Sequence, residues 1–163
     1  MKKLQSIMAF LCLEYPHKLE LTKARLTKMV YLADWFSALL YDKQLTDIKW
    51  IFNHYGPYVD DVFDAAHSAL GFKVENYGTV YGTSKHVILY QGSIDDLDLE
   101  KREKEILDAV IKKTKTMLFN DFVSYVYSTY PVKTKERYST LDLVSLATKY
   151  KKENANKAGH SVA

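Results

Sequence analysis

Leu4, Ile7, Met8, Leu11 and Cys12 recur at intervals of three and four residues, the spacing that lines one face of a helix. That pattern predicts a first helix over residues 2–14. It stops at Tyr15-Pro16, because the residue before a proline is pushed out of the helical region. Thr22 is placed to cap a second helix, in which Leu26, Met29, Val30, Ala33, Phe36, Leu39 and Leu40 keep the same period as far as Tyr41. The apolar face of this helix is wide, so other elements must cover it.

The period then changes. Residues 50–55 are dense in aromatic and β-branched side chains, which predicts a short strand. Gly56 permits a backbone angle closed to other residues, and Pro57 has φ already set for a first helical position. Together they predict a strand-to-helix corner. The helix expected from Pro57 to about Leu70 opens on Asp60, Asp61 and Asp64, whose charge complements unpaired N–H groups, and Gly71 is a suitable left-handed terminator.

Phe72-Lys73-Val74-Glu75 and His86-Val87-Ile88-Leu89-Tyr90 predict two strands of a hairpin, with Tyr77-Gly78-Thr79 and Tyr81-Gly82-Thr83 punctuating the link. An acidic loop at Asp95-Asp96-Leu97-Asp98 leads into a charged helix over residues 99–116 with Ile106, Leu107, Val110 and Ile111 inward. Further helices are expected over residues 120–128 and from near Ser139-Thr140, and the polar segment 151–163 is expected to be a flexible tail. The fold class is α+β: a mainly helical single domain of about five to six helices with a small antiparallel sheet or hairpin.

Composition narrows the class of protein. The 163 residues suit one domain, placed at residues 1–150, and 47% apolar content is enough for a core. Cys12 is the single cysteine, which excludes an internal disulfide and the secreted folds that depend on them. It lies on the apolar stripe of the first helix with no basic group in helical reach, so it reads as a buried structural thiol. Lys2 and Lys3 precede apolar residues, but Glu14 and the lack of a small-residue cleavage site argue against a leader. No apolar run approaches the roughly 20 residues that cross a bilayer, so a soluble, cytoplasmic protein without membrane contact is expected.

Charge is uneven. Residues 1–100 carry 10 Lys or Arg against 13 Asp or Glu, whereas residues 101–152 carry 12 against 6. In the basic half, Lys101, Arg102, Lys104, Lys112, Lys113 and Lys115 interleave with Glu103, Glu105 and Asp108, as on a solvated helix face.

Candidate chemistry is sparse. Asp60-Asp61-Val62-Phe63-Asp64 matches an aspartate-rich signature for magnesium diphosphate, and His54, Asp60 and His67 form a conceivable metal set. The diphosphate signature needs a second acidic motif that this chain lacks, and the histidines lack compact ligand spacing. Helix-dipole complementation accounts for the acids instead. There is no phosphate loop, nucleophile elbow, His-Glu-x-x-His or cysteine pair. A non-enzymatic binding protein with no metal and no cofactor is expected.

Lys28-Met29-Val30-Tyr31, followed by an aromatic strand ending in Tyr55-Gly56-Pro57, resembles the Panacea domain of SocA-like antitoxins from bacteria and phages. The resemblance is carried mainly by residues 26–66. It implies an antitoxin that binds a cognate toxin protein and blocks it, with delivery of the toxin to an ATP-dependent protease as an alternative. A helical DNA-binding regulator is a further alternative, along with weak nucleic-acid contact and a homodimer. Many members carry a Ser-His toward the C-terminus, where this chain reads Ser128-Thr129-Tyr130-Pro131.

For a partner surface, the expected anchors are Tyr55, Tyr58 and Tyr130, with Trp35 and Trp50 weighed as anchors but read as core because an indole hides so much area. Asp61 and Asp64 extend the surface along the helix, and Lys133, Lys135 and Arg137 supply rim charge.

Overall fold

The computed structural model describes residues 1–78 and 80–162, the last six for their backbone alone. Thr79, in the expected hairpin link, and Ala163 lie outside the described residues. Seven α-helices and five strands are present among the described residues. Helix α1 (Lys3–Glu14) ends where Tyr15-Pro16 predicted, and a 3₁₀ turn at Lys18–Glu20 leads to α2 (Lys23–Tyr41). The Thr22 side chain accepts the Arg25 N–H and caps α2, as its position before the apolar run required.

Helix α2 is the axis of the molecule. Every residue from Arg25 to Trp35 is buried, so α2 is covered on all sides rather than on one face. Helix α1 packs against it, as do α3 (Asp61–Ser68), α4 (Lys101–Thr114) and α7 (Leu143–Val162). Between them lie α5 (Phe119–Ser128) and the short α6 (Tyr130–Thr134), which opens with Pro131 in its first turn. Helix α6 escaped the sequence reading because five residues carry too little periodicity. Helix α7 takes in most of the segment 151–163.

Two small antiparallel sheets complete the fold. In the first, β1 (Trp50–Asn53) lies between β2 (Gly56–Pro57) and β5 (Thr140–Leu141), with Phe52 opposite Pro57 and Trp50 opposite Leu141. In the second, β3 (Phe72–Gly78) and β4 (Ser84–Tyr90) pair along their whole length, from Phe72 opposite Tyr90 to Gly78 opposite Ser84. Strand β4 is fastened to the helical body where the Ile88 N–H donates to the Leu21 carbonyl at 2.9 Å.

The Gly56-Pro57 corner differs from the expectation. Pro57 does not start a helix; it sits in an edge strand, where its missing N–H is tolerated, and the chain reverses over His54 and Tyr55. Gly56 makes the reversal with φ of 103°, and the helix begins only at Asp61. Asp61 and Asp64 still occupy its first turn, so their complementarity to the helix dipole stands. Helix α3 ends at Ser68, and Gly71 takes φ of 87° in the turn toward β3, where a Cβ would meet the Tyr90 ring at 2.8 Å.

Two buried charges order the interior. Arg25 lies against the Phe122 ring at 4.5 Å and donates to the Tyr15 hydroxyl and to the Thr114 and Met117 carbonyls, tying α2 to the α4–α5 connection. Glu103, expected on a solvated face, is buried; its carboxylate accepts the Lys3 ammonium at 2.7 Å and the Glu100 N–H at 2.8 Å. Burial alone would raise that carboxyl, yet these donors hold it below the usual range. Cys12 is buried with its Sγ 3.6 Å from the Ile88 carbonyl, and desolvation pushes the thiol up to about 12, the inert state expected of it.

Candidate functional site

The face of α2 that carries Lys28, Tyr31 and Asp34 builds the region around the β1–β2 hairpin. Tyr31 is fully buried, lies edge-on to Trp50 at 5.5 Å, and shares a hydrogen bond of 2.8 Å with the Thr129 hydroxyl. One turn on, the Asp34 carboxylate accepts from the Leu45 and Thr46 N–H groups, the Thr46 hydroxyl and the Trp50 indole. These contacts fix the loop over residues 42–49 and the start of β1 against the helix, and thereby aim the hairpin tip.

Lys28 stands one turn before Tyr31, under that tip. Its side chain lines two adjoining cavities of 510 and 330 Å³. The larger is walled by Tyr55 of the hairpin and by Phe119, Val123 and Tyr127 of α5; the smaller by Asn53, His54, Tyr55, Tyr58 and Asp60. Gly56 packs between the walls: a Cβ built on it would lie 3.3 Å from the Tyr127 ring and 3.5 Å from Lys28 Cε. Lys28 is 3% exposed and has no hydrogen bond or ion pair with any described residue. Burial lowers its ammonium to about 8.

The expected anchor residues divide between two places. Tyr55 is 75% exposed at the hairpin tip, and Tyr58 is half-buried beside it; desolvation raises the Tyr58 phenol, with Asp60 and Asp64 adding to the effect. Asp61 and Asp64 are exposed on α3. Arg137 joins this region from the C-terminal half, with its guanidinium over the Phe52 ring at 5.4 Å and 3.4 Å from the Tyr127 hydroxyl. Tyr130 is elsewhere. It stacks on Trp35 at 6.5 Å, packs on Tyr150 at 5.1 Å, and donates to Glu153, forming with exposed Lys133 a separate groove of 530 Å³. Lys135 is exposed, while Trp35 and Trp50 are core.

Among the described residues, no group of three His, Cys, Asp or Glu side chains is placed to hold a metal ion. His67 Nδ1 is bonded to the Phe63 carbonyl at 2.9 Å and His54 Nδ1 to the Tyr138 hydroxyl at 3.1 Å, so the two histidines are engaged separately. Nor is any helix among them long and apolar enough to cross a membrane.

The antitoxin SocA-like, Panacea domain family model matches residues 26–131, a span that holds Lys28, Tyr31, Asp34, the hairpin and all of α5. The chain belongs to that family. Comparison with curated proteins and with solved structures found no match. Membership gives this Panacea domain an antitoxin role and makes a toxin the general class of its partner. Within the matched span, Lys28 is the residue that the sequence reading undervalued. The available signal is its place inside the Lys28-Met29-Val30-Tyr31 pattern.

Proposed function

We propose that this Panacea domain neutralises a cognate toxin by direct protein–protein binding, without catalysis of its own, through the surface formed by the β1–β2 hairpin, α5 and the start of α3. The observation that carries the reading is the family match, whose span contains Lys28, the hairpin and α5, the lining of the Lys28 groove apart from Lys23 and Ala24. Physical support comes from the groove: an exposed tyrosine, aromatic walls, and charged residues at the edge are what a protein interface needs for a few anchors within a polar rim. The DNA-binding alternative gains nothing from α2, since Arg25 and Lys28 are buried there and reach no duplex.

The test is to sequence the genes flanking the one that encodes this chain and to co-express the chain with the product of any toxin-like gene found there. Restored growth and co-purification of the two proteins are expected, together with loss of both when Tyr58 and Asp61 are replaced by alanine in a chain that still folds. A toxin that remains active despite abundant wild-type chain would reject the antitoxin reading, and full neutralisation by the double variant would reject the surface.

A further inference from the structure

Lys28 is an ammonium where a fold rarely leaves one without a partner. Buried lysines are ordinarily paired, and one that serves packing alone is better replaced by Met or Leu. Lys28 is 3% exposed and unpaired among the described residues, yet two cavities open onto it. Asp60 lines the smaller one without forming an ion pair with Lys28, while the Lys23 ammonium is turned onto the Phe63 ring at 4.7 Å, leaving Lys28 as the ammonium of the groove floor. The fold therefore holds a largely desolvated positive charge, its nitrogen open to the groove, at the floor of an aromatic cleft.

We infer that this groove receives a side-chain carboxylate of the partner, an Asp or Glu flanked by an apolar residue, with Lys28 as its counter-ion. The identity of the partner as a toxin rests on the antitoxin reading; the chemistry of the site does not. One ammonium matches one carboxylate, and a charge-assisted hydrogen bond formed away from water is stronger than its surface equivalent. A phosphate brings about two negative charges to a site whose smaller cavity already holds Asp60. The flanking apolar residue enters the 510 Å³ space between Tyr55, Phe119 and Val123, while the Arg137 guanidinium at the Tyr127 hydroxyl adds positive charge at the rim.

A displayed library of random peptides selected on the full chain, and in parallel on Lys28→Met and Lys28→Arg variants, tests this directly. Peptides enriched on the wild type are expected to carry Asp or Glu beside an apolar residue and to bind Lys28→Met at least tenfold more weakly. Replacing the peptide's acid with its amide should cost the same factor on the wild type and nothing further on Lys28→Met. Lys28→Arg should recover part of the binding, which a general packing defect would not allow. Enriched peptides without acids, equal binding to Lys28→Met, or no enrichment on the wild type would each overturn the inference. Neutralisation of a toxin that the wild-type chain blocks is scored separately: a Lys28→Met chain that neutralises as well as wild type removes the carboxylate and leaves the antitoxin, whereas acid-selective binding without neutralisation removes only the antitoxin.

Discussion

The carboxylate of Asp34 accepts the indole N–H of Trp50 at 2.9 Å, joining the middle of α2 to the first residue of β1 across a loop whose own Leu45 and Thr46 N–H groups bond to the same side chain. Both residues are fully buried, and among the described residues no ion pair reaches the carboxylate, so its charge is held by hydrogen-bond donors. Asp34→Ala would leave these donors without an acceptor in the core. A loss of about 3–5 kcal/mol is expected in urea unfolding, against about 1–2 kcal/mol for Trp50→Phe, which removes one donor and some packing. Equal losses in the two variants would show that the carboxylate is not the centre of the network.

The same residue sets a pH dependence. Burial pushes the Asp34 carboxyl up to about 6 from 3.8, with the Thr46 hydroxyl and Trp50 indole pulling it back. Because the folded value is raised, the native state holds its proton longer than the unfolded chain does. This group's contribution to stability is therefore full below about pH 4 and is lost as pH rises through 6, by about 3 kcal/mol at most. Urea titrations of wild type and Asp34→Asn across pH 4–7 should show that falling component in the wild type and not in the variant.

Lys28 carries a cost of the opposite charge. Its folded ammonium is lowered to about 8 from 10.5, so the charged form opposes folding at neutral pH and the penalty fades as pH rises from 8 toward 10.5. Lys28→Met is expected to stabilise the chain by about 1–3 kcal/mol at pH 7, with the gain shrinking above pH 9. Thermal melts at pH 7 and 10 measure it. A destabilised Lys28→Met chain would mean that the ammonium supports the fold.

The elements legible in the sequence were those whose signals are local. The period of α1 and α2, the Thr22 cap and the glycine-punctuated β3–β4 hairpin each announce themselves within a few residues, and each is present. The Gly56-Pro57 corner was misread because the same dipeptide suits a helix start and a hairpin return; the choice is made by pairing with Phe52 and by Tyr127, seventy residues away. The pairing of Asp34 with Trp50 and of Glu103 with Lys3 was likewise invisible, since partners distant in the chain decide whether a charge is solvated or buried. For the site, Tyr55 and Tyr58 were nominated from their place at the corner, whereas Lys28 becomes conspicuous only once it is seen buried under the hairpin without a partner among the described residues.

Gly56 should tolerate no side chain. Its φ of 103° strains any L residue, and an added methyl would press on the Tyr127 ring at 3.3 Å. Gly56→Ala is expected to cost about 1–3 kcal/mol in urea unfolding, and pairing it with Tyr127→Leu should recover only the contact part. Full recovery in the double variant would assign the whole effect to the ring and none to the backbone.

The two grooves can be told apart by exposed substitutions that leave the core alone. Tyr55 is 75% exposed at the hairpin tip, and Lys133 is exposed beside the Trp35, Tyr130 and Tyr150 stack, so Tyr55→Ala and Lys133→Glu should each change stability by no more than about 0.5 kcal/mol. If the hairpin face is the partner surface, Tyr55→Ala removes an aromatic anchor and should weaken toxin binding at least tenfold, roughly 1.4 kcal/mol or more. Lys133→Glu should change it less than about threefold, as expected of a charge outside the interface. Calorimetric titration of each folded variant against purified toxin decides the matter. The reverse order of losses would move the interface to the Trp35 groove, because that is where the reversed charge would then be felt.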